Sequence, residues 1–261
     1  MATGRISPLR LLAIETRALI RRRPITPAIG LAALGGAIAW WLPRFPEGVF
    51  RFFKTILHMR NWTEIVIINN YTGLYFFLFW IGVFEVLRIC VRPREERYLE
   101  LYLSKPVDRR TFMLAKIGPV LAALTLIGAL AAAAHGGAMH ALGMPIDWPA
   151  YRGASAVVVG LTVCLVAVVN LLVVHAHDSH SALLIAFVPG LAAMAPGLVY
   201  VYRPDVYEAA PGLADAIVFP GNLIWHSVWA ARWGPPLGAA CLFLAGLLAF
   251  LAGERLRRSE D

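Results

Sequence analysis

Long apolar runs recur along the whole chain, and only short polar segments separate them. They cover residues 27–42, 65–89, 112–140, 154–174, 182–202 and 237–253. A helix crosses the hydrocarbon core of a bilayer with about 20 apolar residues. The chain therefore predicts an all-α fold: a polytopic integral membrane protein with six transmembrane helices. Composition agrees, since 59% of the 261 residues are hydrophobic, against roughly 45–50% in soluble domains. Six spans and their loops use up the length, so no separate soluble domain is expected.

The net charge of +8 comes mostly from Arg. In a membrane protein positive charge is first a topology signal, and no nucleic-acid partner is expected. With the N-terminus inside, most of the 24 Lys and Arg residues fall on cytosolic segments, as the positive-inside rule requires. Both termini are then cytosolic. The expected division is a cytosolic segment 1–24, a membrane domain 25–254 and a cytosolic tail 255–261. Cys90, Cys164 and Cys241 lie in or beside apolar runs and form no CxxC pair. They suggest neither a disulfide framework nor zinc.

The most charged stretch, 93–116, lies between the second and third runs. Pro93 suits a first helical position, and Glu95 and Glu96 suit the first turn. Leu99, Tyr102 and Leu103 recur at helical spacing and make one apolar face. Pro106 ends that helix and Asp108 caps the next one. Leu99-Glu100-Leu101-Tyr102-Leu103-Ser104-Lys105-Pro106-Val107-Asp108-Arg109-Arg110, followed by Lys116, resembles the first cytosolic loop of type-2 ATP-binding-cassette permeases. That family typically carries a Leu-Glu-Leu-Leu-Leu-Ser-x-Pro-Val-Ser-Arg-Arg-like run there. It usually has Gly-Thr just before; here Arg97-Tyr98 stands in that place.

The resemblance implies a permease subunit of an exporter in a bacterial cytoplasmic (inner) membrane. In that family the loop, here 93–110, holds a coupling helix that docks into a separate ATPase subunit. Glu96, Arg97, Leu99, Glu100, Tyr102 and Leu103 are then the ATPase-coupling residues. ATP and Mg would sit on that partner, with no cofactor bound by this chain. The other expected partners are a second permease subunit and membrane lipid. Lys occurs only at positions 54, 105 and 116, and none follows Gly. The phosphate-cradling Gly-Lys-Ser/Thr loop is therefore missing from this sequence.

Other segments fit the same plan. Ser7-Pro8 is a helix start, followed by Leu9, Leu12, Thr16, Leu19 and Ile20 on one side and Arg10, Arg17 and Arg21 on the other. This predicts an amphipathic helix on the membrane surface, similar to the family's elbow helix. Val49, Phe52, Phe53, Ile56 and Leu57 predict a second interfacial helix. Residues 203–236 are too apolar for a solvated loop and too interrupted for a span. They predict a re-entrant or interfacial segment.

Polar residues inside spans face the bundle or a pathway more often than lipid. Asn69, Asn70, Tyr71 and Asn170 are such candidates. Pro189-Gly190 and Pro196-Gly197 predict a fifth span that is broken and bent, which makes Pro189 and Pro196 candidate pathway residues. Glu85 and Arg88 are spaced to pair. His135 and His140 fall toward the outer end of the third span. His175, His177 and His180 have metal-ligand chemistry, but their expected place is a cytosolic turn, so no metal site is predicted.

Two other classes compete. A non-transport membrane scaffold could use the same cytosolic handle. An intramembrane protease needs its own chemistry: Gly153-Ala154-Ser155-Ala156 resembles the serine motif of rhomboids, which requires a histidine base. Rhomboids supply it from the last span, and 237–253 has none. Glu95-Glu96 resembles the acidic pair of CAAX-processing proteases, but Glu100 stands where they carry Arg. Neither enzyme motif is complete.

Overall fold

The computed structural model describes residues 8–21, 25–57, 61–96, 108–176, 178–202, 212–213, 223 and 226–258. All regular structure among them is helical. Helix α1 is Pro8–Arg21, α2 is Ile25–Trp41 and α3 is Glu47–Leu57. Helix α4 runs Trp62–Glu95, with a π-helical turn at Leu87–Val91. Helix α5 is Arg109–Ala141, α6 is Trp148–Val173, α7 is Ser179–Tyr202 and α8 is Ser227–Arg258. Four of these, α4, α5, α6 and α8, are long and apolar enough to cross a membrane. Helix α2 has 17 residues, and Ser179–Ala192 of α7 is a shorter apolar helix.

Side-chain oxygens start the helices. Asn61, Asp108, Asp147 and Asp178 accept from the backbone N–H of Glu64, Thr111, Ala150 and Ser181 at 3.0, 3.1, 3.2 and 2.8 Å. Each satisfies a donor that the first turn leaves unpaired. The expected Asp108 cap is present. These caps also mark the two ends of the bundle. Trp41, Trp62, Ala141, Trp148 and Ser227 lie at one, the aromatic end. Glu95, Arg109, Val173, Ser179 and Arg258 lie at the other, the charged end.

Helix α6 is the axis: 72% of its apolar window is buried, against 33% for α8. It runs parallel to α8, and small residues let the two backbones touch. A Cβ on Gly160 would lie 2.5 Å from the Gly238 carbonyl oxygen, and one on Gly238 would lie 2.5 Å from that of Ala156. A Cβ on Gly234 would meet the Gly153 carbonyl oxygen at 2.5 Å. Close approach through Gly and Ala is how helices associate where lipid offers no hydrophobic drive. Helix α4 packs at Gly82 on Val166 of α6 and Leu124 of α5, and α5 fits between α4 and α6 at Gly128, against Val159 and Leu78.

Three expectations are corrected. The last helix starts at Ser227, so residues 227–236 belong to it and not to the outer segment. Pro235 and Pro236 lie inside it, although each lacks the N–H that the carbonyl four residues back needs. The reason is packing on both sides of them: Ala230 and Gly234 bear on Gly153, and Gly238 on Ala156. Second, α7 is one helix through Pro189 and Pro196, not a broken one. Third, Pro93 does not begin a separate helix. Helix α4 continues to Glu95 through its π turn. Pro93 cannot donate to the Ile89 carbonyl, and the wider turn spans that carbonyl. The remainder of the expected coupling helix, with Arg97, Leu99, Glu100, Tyr102 and Leu103, lies outside the described residues, as does most of 203–225.

Candidate functional site

At the aromatic end, α2, α4, α5 and α6 surround a cavity of about 300 Å³. Tyr71, His135 and Tyr151 form its buried wall, while Leu34, Phe76 and Phe77 are exposed at its rim. Local chemistry fixes that wall. The Tyr151 hydroxyl donates to the Ala132 carbonyl at 2.8 Å. Its oxygen, 3.0 Å from His135 Nδ1, must then accept the imidazole proton there. That leaves His135 Nε2 as an acceptor. Tyr71 stacks on Tyr151 with ring centroids 5.7 Å apart. The Tyr71 hydroxyl donates to the Tyr151 carbonyl at 2.9 Å and lies 3.3 Å from Ser155 Oγ.

Gly35 of α2 closes the space. A Cβ there would lie 2.7 Å from Asn70 Oδ1 and 3.1 Å from His135 Cδ2, so both side chains converge on one glycine. Two buried polar atoms at this place have no partner: Asn70 Nδ2 and His135 Nε2. His135 is only 4% exposed. Buried polar groups are nearly always satisfied, so such a pair is where a ligand group would be held.

Of the residues expected along a pathway, Asn69, Asn70 and Tyr71 line this cavity. Asn170 does not. It sits at the far end of α6, fully buried, where Cys90 Sγ donates to its Oδ1 at 3.2 Å beside the π turn. Pro189 lies next to Gly190, whose carbonyl accepts from the Tyr75 hydroxyl at 3.0 Å, on another face of α4. The side chain of Pro196 is outside the described residues. Ser155 pairs with Tyr71, while His135 pairs with Tyr151, so serine and histidine are not hydrogen-bonded to each other. His175 is half-buried and His180 exposed, and His177 lies outside the described residues. Among the described residues no three His, Cys, Asp or Glu side chains converge as metal ligands would.

The charged end is held by ionic and charge-assisted contacts. Glu95 accepts from the Ser179 N–H at 2.6 Å and from its hydroxyl at 2.8 Å. Arg94 donates to the Ala176 carbonyl at 3.5 Å. Arg110 pairs with Glu254 at 2.9 Å, and Arg257 shares that carboxylate at 2.9 Å. Lys116 pairs with Glu15 of α1 at 2.7 Å, with both side chains mostly buried. Glu85 and Arg88 pair as their spacing predicts. The turn between α6 and α7 is tightened by Asp178, whose carboxylate takes the N–H and hydroxyl of Ser181 at 2.8 and 2.7 Å. Those bonds hold its pKa below the ordinary carboxylate value.

Gly35, His135 and Tyr151 are among the cavity residues that sequence reasoning did not select. His135 was noted only for its depth. A partial signal was depth: Asn70 and His135 lie equally far inside the matching ends of the runs 65–89 and 112–140, whereas Tyr151 precedes the run 154–174. Fold and site define a class, a membrane-embedded helical bundle with a largely apolar cavity that holds a few buried polar groups at one end and ionic and charge-assisted contacts between helices at the other. Compared with known protein families, characterised proteins and solved structures, the chain matches none.

Proposed function

We propose that the chain is the transmembrane permease subunit of a type-2 ATP-binding-cassette transporter, an exporter in a bacterial inner membrane. In this reading α2 and α7 complete six spans, α1 is the elbow helix, and the loop between α4 and α5 carries the coupling helix. ATP and Mg bind on a separate ATPase subunit. The exposed apolar face of α8 is available to lipid and to a second permease subunit.

One observation carries the reading beyond the sequence motif: the loop is tied to other helices on both sides. Before it, Glu95 and Arg94 grip the start of α7 and the turn that precedes it. After it, Arg110 grips Glu254 near the end of α8, and Lys116 grips α1. A push on the loop would therefore reach α1, α7 and α8 together. That is what a transmission element between an ATPase and a pathway requires. A helix-in-groove contact through Leu99, Tyr102 and Leu103 would deliver the push.

The test is affinity purification of the tagged chain in mild detergent. A nucleotide-hydrolysing subunit is expected to come with it. Leu103→Asp would bury an unpaired charge in the contact, at a cost of about 2–5 kcal/mol, and should release that subunit at unchanged membrane abundance. Purification without an ATPase, or an ATPase retained by Leu103→Asp, overturns the reading.

A further inference from the structure

We infer that the cavity at the aromatic end is a binding site for the hydroxyl head of a neutral, otherwise apolar molecule, such as a long-chain alcohol, entering from the bilayer. The hydrogen-bond inventory selects the head group. His135 Nε2 is an acceptor, because Nδ1 carries the proton toward Tyr151. Asn70 Nδ2 is a donor. Both are buried and unpartnered, and the same two side chains approach Gly35 through Asn70 Oδ1 and His135 Cδ2. A hydroxyl donates to the one and accepts from the other. An ether or ketone can only accept, so it would leave His135 unpaired, and an apolar group would leave both unpaired. A carboxylate would set its charge against the imidazole lone pair, and no cation among the described wall residues offsets it. An ammonium could donate to His135 but would face the Asn70 donor with nothing to give it.

Geometry supplies the rest of the ligand class. The cavity, about 300 Å³, is at the lower end of the range for small-molecule sites. It has room for a head and the first carbons of a chain. The rim residues Leu34, Phe76 and Phe77 are 45%, 46% and 42% exposed. On helices embedded in lipid this is an apolar exit, along which the remainder of an alkyl chain can lie. A single water has the same hydrogen bonds but no use for that rim. The inference rests on the cavity alone and not on the permease reading.

The experiment is photolabelling of the purified full-length protein in lipid nanodiscs with a diazirine-bearing dodecanol. Its methyl ether is the matched control. The alcohol is expected to label peptides containing 69–77 or 131–151 and the ether to label them about tenfold less, the effect of one buried hydrogen bond lost. His135→Leu and Asn70→Leu should each reduce alcohol labelling to the ether's level. Gly73 lines the cavity, and a Cβ there meets nothing within 4 Å. Gly73→Leu should therefore fold normally and block both probes. Equal labelling by alcohol and ether, no labelling at these peptides, or labelling unchanged by Asn70→Leu overturns the inference. If His135→Leu fails to fold, Asn70→Leu and Gly73→Leu decide. An ATPase that fails to co-purify would leave this result standing, and equal labelling would leave the permease reading standing.

Discussion

The two sides of α6 are packed in opposite ways. Toward α8 its backbone touches another backbone, and no Cβ can be added at Gly153, Gly160, Gly234 or Gly238 without overlap. Toward α2 and α4 near the aromatic end, the same helix borders a cavity with unpartnered polar groups. Small residues serve both arrangements. On the α8 side they remove all space, and the two helices act as one body. At Gly35 a small residue admits Asn70 and His135 and leaves space beside them. A seam with backbone in contact has no second arrangement to move to, because interiors this dense do not deform gradually. A seam with a gap does. Room for helix movement thus lies on the α2–α4–α5 side.

The largest effect is expected from breaking the tight seam. In Gly160→Leu the new side chain would meet the Gly238 backbone, which cannot rotate away. Overpacking of a filled interior costs about 1–3 kcal/mol even when side chains can adjust, and here the obstruction is main chain. The variant should fail to accumulate, or should unfold well below the parent in a detergent thermal-shift assay. Gly246→Ala on α8, where a Cβ meets nothing within 4 Å, should match the parent. Parental stability in Gly160→Leu would mean that α6 and α8 are not joined as described.

A smaller effect is expected at the loose seam. In Gly35→Ala the new Cβ would press on Asn70 Oδ1, the tip of a side chain that can turn, and on the His135 ring. The cost should be about 1 kcal/mol, at the low end for overpacking. Gly36→Ala, whose Cβ comes no nearer than 3.9 Å to Ala138, should be neutral. Comparing the two melting temperatures tests the contrast. If Gly36→Ala is the more damaging, the gap has been put on the wrong side of α2.

These seams explain what the sequence could and could not reveal. Apolar runs of bilayer length are local, so the helices were legible, and so was the Asp108 cap. The start of α8 was not. Pro235 and Pro236 read as a stop, and what overrides them is contact with Gly153 on a helix some 80 residues earlier in the chain. The two Pro-Gly pairs of α7 likewise read as breaks, yet the helix runs through both, as membrane helices tolerate proline. Asn69, Asn70 and Tyr71 were legible as polar residues in an apolar run, and they line the cavity. Gly35 was not, because a glycine in an apolar helix says nothing about which side chains will meet it. Asn170 carried the same signal as Asn70 yet lies at the opposite end, since polarity alone does not give depth.

The charged end offers a third test, aimed at coupling and not at folding. Glu95→Gln keeps the side-chain shape but weakens both bonds to Ser179. Its effect on stability should be slight, because the contact is exposed. Hydrogen exchange at the Ser179 amide should become faster. On the permease reading, the ATPase should still co-purify while its stimulation by transport falls. Unchanged exchange at Ser179 would show that Glu95 does not hold the start of α7.

The smallest effect concerns Asp178 and acid. Its carboxylate is held below the ordinary aspartate value of 3.8, first by the Ser181 N–H, then by the Ser181 hydroxyl, with a lesser contribution from His180. A carboxylate whose folded pKa is depressed favours the folded turn whenever it is ionised. That contribution is fully present above the unfolded value and is lost as pH falls through the lower, folded one. The turn between α6 and α7 should therefore be unchanged from neutral pH to about pH 5. Below pH 3.8 the Ser181 amide should lose protection in hydrogen exchange corrected for its intrinsic rate. Asp178→Asn can still cap through its amide oxygen, so it should keep the turn but remove the acid dependence. Loss of protection already between pH 6 and 5, well above the Asp178 range, would show that the Asp178 cap does not control this turn.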